Sequence, residues 1–261
     1  MVTPVNFRDA VNWTHGYYTI NREERNLAAI FYHALLLGDN LSRFLDLIEY
    51  DHPVDPGQFA VFFEYAYLRD LWSETCRDHD MREVILTLLD PPNREELEGM
   101  TTLEFNRHFG AVPKPSTKYI QSPGNWSIQR YKHTIADDAY FLKVCRFKWS
   151  FNAKPDIVIH TSHDRAICIE AKYTSEEGQY PSNPREIAEF ERRGLWRVSQ
   201  TELQAYMMEQ LLGIQARYVF LVSDGAATAS GFATITWSQV FDHLDTASCP
   251  QFIQEWIQRL Q

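Results

Sequence analysis

Apolar residues recur every three or four positions through much of the first hundred residues, and this spacing is typical of helices. The clearest helix is predicted over residues 21–37, where Asn21 and Glu24 have the spacing of a capping box. Similar spacing predicts further helices over residues 41–50, 57–76, 80–89 and 94–109. The first part of the chain is therefore expected to be mainly helical.

The pattern changes after residue 110. Prolines and a glycine make residues 111–125 loop-like, and a charged stretch at residues 174–193 is interpreted as a second, longer loop. Strands are predicted at residues 140–150, 155–161, 166–173, 217–223 and 231–237, with a turn at 162–165. Helices are predicted at residues 198–212, 240–244 and 251–260.

This order of elements predicts an α/β protein in which helices flank a mixed central sheet. Residues 1–110 would form a mainly helical region that includes the first core helix, and residues 111–261 would form the α/β core. We expect the two to pack as one compact unit. A chain of 261 residues, 44% of them hydrophobic, is long enough to bury such a core.

Composition narrows the class of protein. A charged fraction of 23% and an aromatic fraction of 14% are typical of a folded domain. The sequence lacks a signal-peptide pattern and an apolar run of about 18 residues, so we expect a cytoplasmic protein without a membrane span. Four scattered cysteines provide neither a disulfide framework nor a zinc knuckle, and no phosphate-binding, dinucleotide or esterase motif occurs.

Charge is distributed unevenly along the chain. The formal net charge of −10 opposes non-specific binding to nucleic acid. Residues 111–154, however, carry 8 basic and 2 acidic side chains, a net charge of +6, with aromatic residues between them. This mixture is typical of a phosphate-facing surface, and the alternative is a strand face that lysines keep soluble. The candidate nucleic-acid contacts are Arg130, Lys132, Lys148 and Lys154.

Three charged residues mark the two strands that follow this basic segment. Asp156 begins one predicted strand, while Glu170 and Lys172 end the next, two positions apart and therefore on one face. If the strands pair through the turn between them, the three side chains meet at one edge of the sheet. Two carboxylates beside an ammonium favour a neutralising cation, and Mg²⁺ prefers carboxylate oxygens and water. We therefore expect a divalent-metal site suited to phosphodiester hydrolysis, with the lysine orienting or deprotonating the attacking water.

The segments Pro155–Asp156 and Glu170–Ala171–Lys172 together resemble the signature of the PD-(D/E)XK nuclease superfamily. The predicted order of helix, three strands, helix and strand is similar to the common core of that superfamily. The resemblance covers about residues 20–40 and 140–223, with the intervening helices as an insertion. It implies a restriction-endonuclease-like core with a helical N-terminal elaboration.

The same resemblance implies a function. The protein would be a hydrolase, a Mg²⁺- or Mn²⁺-dependent endonuclease that binds and cuts nucleic acid, with DNA favoured over RNA. Asp156 and Glu170 would hold the metal together with the carbonyl oxygen of Ala171, and Lys172 would act on the water. Cutting both strands with one site per chain would favour a homodimer.

Two helices supply auxiliary candidates. The family usually adds an acid from the helix before the strands, which implies Glu24 or its neighbour Glu23, with Glu24 preferred; a purely helix-capping role is the alternative. Gln200 and Gln204 lie one helical turn apart and would hold water or substrate, unless they belong to a plain solvated face.

Two other functions stay open at this level. A nuclease-fold protein without catalytic activity would bind nucleic acid or a protein partner. A structural protein would use Asp156 and Lys172 only as an ion pair and would present its acidic helices to a partner.

Overall fold

The computed structural model describes residues 23–76, 80–112, 114–173, 177–223 and 232–258. Asn21, the predicted cap of the first helix, lies outside the described residues. The helix itself begins at Glu24, with Glu23 in the N-cap position.

The first half of the described chain is mainly helical and contains one short strand. Its helices are α1 (Glu24–Leu35), α2 (Asn40–Leu47), α3 (Tyr67–Thr75), α4 (Arg82–Leu89), α5 (Arg94–Gly99), α6 (Thr102–His108), α7 (Ile128–Tyr131) and α8 (Asp138–Ser150). Strand β1 (Ala60–Phe63) lies between α2 and α3, and a 3₁₀ turn (Pro123–Asn125) precedes α7.

Strands and helices alternate in the second half. The strands are β2 (Ile157–His160), β3 (Arg165–Ala171), β4 (Gln179–Tyr180), β5 (Val198–Ser199), β6 (Gln215–Val222) and β7 (Ala233–Thr236). The helices are α9 (Pro184–Arg192), α10 (Gln200–Ala205), α11 (Trp237–His243) and α12 (Gln251–Ile257). A π-helix (Tyr206–Leu211) directly continues α10, and a 3₁₀ turn (Thr246–Ser248) precedes α12.

Five strands form a mixed sheet in the order β1-β2-β3-β6-β7. β2 runs antiparallel to both β1 and β3, whereas β6 runs parallel to β3 and β7 parallel to β6. The parallel pairs need crossover connections, and the chain between β3 and β6 supplies one that contains α9 and α10. β4 and β5 form a separate two-stranded sheet. The predicted α/β class with a mixed central sheet is confirmed.

Helices cover both faces of this sheet. Val158 and Cys168 belong to an apolar core with side chains of α3 to α10, while Ile157 and Ile169 belong to a second core with α1, α2, α11 and α12. Strands that are buried on both faces are apolar at successive positions, which explains the runs in β2 and β3. Segments from both sides of residue 110 contribute to the sheet and to each core.

The predicted strand at residues 140–150 is wrong, because this segment forms α8. Asp137 caps the helix with its side chain, and Phe141, Val144 and Cys145 are buried at helical spacing. Its aromatic residues and Val144 are typical of strands, but the helical period decides which side chains reach the core.

Other predicted boundaries also need correction. The predicted helix at residues 57–76 divides into β1 and α3, and the backbone between them turns at Glu64, where φ is 55°. The predicted loop at residues 174–193 contains β4 and α9, whose first turn is capped by the Asn183 side chain accepting from the Arg185 amide. The segment 94–109 divides into α5 and α6.

Arg193 joins α9 to the start of α8. Its guanidinium donates to Glu189 Oε1 (2.8 Å), Asp138 Oδ1 (2.7 Å) and the carbonyl oxygens of Lys132 (2.8 Å) and Ile135 (3.0 Å). Because the guanidinium and the Glu189 carboxylate are both buried, removing either partner leaves the other buried charge with fewer compensating contacts.

Replacing Glu189 by glutamine is expected to lower the free energy of unfolding at pH 7 by about 3 kcal/mol. Hydrogen bonds from Arg192 and Arg193 lower the pKa of Glu189 to about 2, from an ordinary value of 4.5. The stabilisation by this carboxylate is therefore present above pH 4.5 and is lost as the pH falls towards 2. Urea denaturation across this range should show the wild-type advantage shrinking. Asp70→Asn, in an exposed ion pair with Arg69, is the control and should change little; an advantage constant with pH contradicts the prediction.

Candidate functional site

Strand register brings two carboxylates face to face. Ile157 pairs with Ile169 across β2 and β3, so Asp156, one residue earlier, lies opposite Glu170. Residues directly opposite in an antiparallel pair project from the same face, and Lys172 follows Glu170 by two positions on that face. The three charged side chains therefore meet where β2 begins and β3 ends.

Glu170 is the most enclosed member of this group, with 4% of its surface exposed. Its Oε1 accepts hydrogen bonds from Lys172 Nζ (2.9 Å) and Gln200 Nε2 (2.5 Å), and its Oε2 accepts from Gln204 Nε2 (2.7 Å). Lys172 Nζ also donates to Gln200 Oε1 at 3.4 Å. Buried charge is stable only when it is paired and hydrogen-bonded, and these contacts satisfy that requirement.

The start of α10 positions both glutamines. Ser199 caps the helix through a capping box with Glu202, which fixes the direction of the first turn. Gln200 donates its backbone N–H to the Gly178 carbonyl (2.8 Å), and a Cβ on Gly178 would approach Gln200 Oε1 to 3.0 Å. The lack of a side chain at Gly178 therefore allows this close contact with Gln200.

Asp156 is anchored by the strand that it faces. Its Oδ2 accepts a hydrogen bond from the Ala171 amide at 2.8 Å. Burial, followed by the negative charge of Glu170, raises the pKa of Asp156 to about 7, although the Ala171 amide and Lys172 oppose the rise. Burial also raises the pKa of Glu170. One ammonium thus compensates only part of the charge of two neighbouring carboxylates.

The first helix places Glu24 at the same end of the sheet. Glu24 Oε1 accepts from the Tyr173 amide at 2.8 Å, directly after Lys172 in the chain. Burial alone would lower the pKa of Lys172, but the carboxylates of Glu170, Asp156 and Glu24 raise it. Glu23 is exposed at the N-cap of α1, so Glu24 is the acid that the structure brings to the site.

Glu64 is a site residue that the sequence analysis missed. Phe63 pairs with Ile157, so Glu64 lies opposite Asp156, and its amide donates to the Asp156 carbonyl at 2.8 Å. Its negative charge contributes to the raised pKa of Asp156. The apolar run at residues 60–63 is the sequence signal for β1, although the wider spacing of residues 57–76 favours a helix.

Two cations accompany Glu64. Arg25 Nε lies 2.9 Å from Glu64 Oε1, and Lys154 Nζ bonds to Glu64 Oε2. Arg25 comes from the first turn of α1, beside Glu24, and Lys154 lies two residues before Asp156. The edge of the site therefore carries two basic side chains that are bound to one acid.

The other predicted nucleic-acid contacts belong to other parts of the surface. Arg130 is exposed on α7, and Lys132 Nζ donates to Gln129 at 3.0 Å. Burial lowers the pKa of Lys148 on α8, because much of this side chain packs inside the protein. Of the four predicted basic residues, Lys154 alone contacts the site in the described part of the chain.

The oxygen donors at this site fit a hard divalent cation. Asp156 and Glu170 present carboxylate oxygens, and the Ala171 carbonyl lies on the same side of β3 as the amide that binds Asp156. Within the described residues, no group of three or more His, Cys, Asp and Glu side chains is placed to hold a metal. Mg²⁺ requires fewer protein ligands than that, because it is commonly bound through one or two carboxylates and keeps several waters.

Comparison of the chain with protein families, curated proteins and solved structures finds no match. No helix in the described ranges is long and apolar enough to cross a lipid bilayer. The functional interpretation therefore depends on the sequence motif and on the geometry of the site.

Proposed function

We propose that this protein is a metal-dependent nuclease with a PD-(D/E)XK-type core that cuts phosphodiester bonds within DNA. The observation that carries the proposal is the opposition of Asp156 and Glu170 across β2 and β3, with Lys172 bonded to Glu170 at 2.9 Å. This places both motif segments of the sequence in one cluster of charged groups. The resemblance to the nuclease superfamily supplies the reaction.

Asp156, Glu170 and the Ala171 carbonyl are the groups that would hold Mg²⁺ or Mn²⁺. Such an ion polarises a phosphoryl oxygen and lowers the pKa of the attacking water. Gln200 and Gln204 keep the Glu170 carboxylate in one orientation, and the Ala171 amide does the same for Asp156. These hydrogen bonds preorganise the carboxylates before substrate arrives.

Lys172 supplies hydrogen-bond donors and positive charge at the reacting phosphate. Its ammonium donates to Glu170 and, at 3.4 Å, to Gln200 Oε1, which leaves one further N–H donor. Negative charge that accumulates on the phosphoryl oxygens in the transition state is stabilised by such a fixed cation. Arg25 and Lys154 extend the positive charge along the edge of the site, where the neighbouring phosphates of the substrate would bind.

A second candidate is a nuclease-fold protein that binds nucleic acid without cutting it. The contacts of Glu170 favour it, because three side-chain donors already occupy its two carboxylate oxygens. In this case the charged cluster would serve to hold α10 against the sheet.

Incubation with supercoiled plasmid separates the two candidates. We expect Mg²⁺ or Mn²⁺, each at about 5 mM, to support conversion of the plasmid to nicked or linear DNA. EDTA should abolish this conversion. Isothermal titration calorimetry should detect Mn²⁺ binding that Asp156→Ala removes. Cleavage that persists in EDTA would exclude the proposed chemistry. DNA binding without cleavage and without Mn²⁺ heat would favour the binding protein.

A further inference from the structure

Four aromatic rings form a surface cluster beside β1. We call Phe62, Tyr65, Tyr67 and His160 the aromatic platform. The centroid of Phe62 lies 5.6 Å from those of Tyr65 and His160, and Tyr67 stacks on Tyr65 at 5.6 Å with an angle of 20° between the rings. The outer rings are open to solvent, since Phe62 is 44% and Tyr67 45% exposed.

The centre of the platform is held rigidly. Tyr65 is buried, and its hydroxyl is 3.0 Å from His160 Nε2. Burial lowers the pKa of His160 from its ordinary value of 6.5, so the neutral form of this ring predominates at pH 7. The two exposed rings, Phe62 and Tyr67, therefore pack against side chains that are fixed in position and mainly uncharged at pH 7.

The platform and the charged cluster share one face of the sheet. Phe62 pairs with Val158, and the antiparallel register places Glu64, two residues after Phe62, opposite Asp156, two residues before Val158. Side chains two positions apart on a strand point the same way. Phe62 consequently lies next to the proposed cleavage site along β1, which is an outer strand of the described sheet.

Positive charge borders the platform on the side of the site. Lys154 and Arg25 both bind Glu64, and both are partly exposed. An aromatic surface beside cations matches the two parts of a nucleotide, because bases stack on rings and phosphates pair with ammonium and guanidinium groups. Phosphates complement the two cations in charge.

We infer that the aromatic platform stacks unpaired nucleobases, so that the substrate of the neighbouring site is single-stranded DNA or an unpaired segment of DNA. The inference rests on the proposed function for what happens at the site, but stacking itself requires no catalysis. Bases inside a duplex are already stacked on one another and cannot cover Phe62 and Tyr67. Lys154 and Arg25 would bind the phosphates of either form.

Fluorescence anisotropy with a labelled single-stranded oligonucleotide and the matching duplex, both in EDTA, tests the inference apart from cleavage. We expect wild type to bind the single strand more tightly. Phe62→Leu and Tyr67→Leu should each weaken single-strand binding about tenfold and leave duplex binding unchanged. Lys154→Gln should weaken both, and Phe252→Leu, which removes a ring 69% exposed on α12, is the matched control.

Each alternative outcome has a definite meaning. Unchanged single-strand binding by Phe62→Leu and Tyr67→Leu overturns the inference, as does an equal loss for single strand and duplex. A dimer, seen by sedimentation, that these two variants abolish while single-strand binding is retained would assign the platform to a second copy of the chain. Stacking without metal-dependent cleavage supports the inference and contradicts the proposed nuclease activity. Metal-dependent cleavage of single-stranded DNA that neither substitution changes supports the nuclease activity and contradicts the inference.

Discussion

Lys172→Met is expected to reduce the rate of DNA cleavage at least about a hundredfold. The ammonium is the only cation bonded to Glu170 in the described structure, at 2.9 Å, and it also lies within the electrostatic influence of Asp156 and Glu24. Without it, the phosphoryl oxygens lose a fixed donor at the point where charge accumulates. The loss should appear in kcat rather than KM, because the interaction strengthens in the transition state.

The measurement is single-turnover cleavage of a labelled DNA substrate with saturating enzyme. Lys118→Met, which removes an exposed lysine outside the site, is the control and should keep wild-type activity. Mn²⁺ binding by Lys172→Met should persist, since both carboxylates are intact. Retained Mn²⁺ binding excludes unfolding as the cause of inactivity, and near-normal cleavage would show that Lys172 has no part in the reaction.

The strand pair that carries the site could be predicted from the sequence, because local rules determine it. Two apolar runs joined by a short turn predict an antiparallel pair, and the period of two places Glu170 and Lys172 on one face. The separation of the runs then brings Asp156 opposite Glu170. Gln200 and Gln204 followed from helical spacing in the same way.

The parts that could not be predicted depend on distant contacts. Lys154 and Glu64 are 90 positions apart in the sequence, and no local pattern relates them. β1 contains four apolar residues and is stabilised by pairing with β2, so its strand conformation depends on tertiary structure. The segment that forms α8 shows the opposite case. Its residue types favour a strand, but the Asp137 cap and the burial of one helical face stabilise a helix.

The net charge of −10 is also better understood from the structure. Only Lys154 of the predicted basic residues contacts the site in the described part of the chain, and Arg25, from the acidic N-terminal part, joins it there. The charge that matters for phosphate binding is therefore assembled from two distant segments. A sum over a continuous segment counts Lys148, whose pKa is lowered by burial, and omits Arg25.

Asp156→Asn is expected to abolish cleavage and yet to stabilise the protein at alkaline pH. Burial and the charge of Glu170 raise the pKa of Asp156 from 3.8 to about 7, so the folded protein favours the neutral form of this side chain. The contribution of the neutral Asp156 side chain to the free energy of unfolding is therefore fully present below pH 3.8 and is lost as the pH rises through about 7. At pH 8 the wild type therefore carries a buried charge next to Glu170, a destabilising feature that the neutral amide lacks.

Asparagine preserves the main contact of Asp156, because its Oδ1 can still accept from the Ala171 amide. We expect the free energy of unfolding at pH 8 in EDTA to rise by about 2 kcal/mol, and the difference from wild type to vanish near pH 4. Urea denaturation at the two pH values measures both quantities. Asp70→Asn, which neutralises an exposed acid, should show no comparable gain.

Mn²⁺ links this stability change to function. Binding of the ion to the folded wild type should raise its free energy of unfolding and remove the advantage of Asp156→Asn, because a ligand stabilises the state that binds it. The variant should show neither Mn²⁺ stabilisation nor cleavage above about one hundredth of the wild-type rate. A variant less stable than wild type at pH 8 in EDTA would mean that burial next to Glu170 does not destabilise the charged form of Asp156. A pair of acids held together at a cost in stability, which a divalent ion relieves, is what a preorganised metal site requires and what a purely structural ion pair would lack.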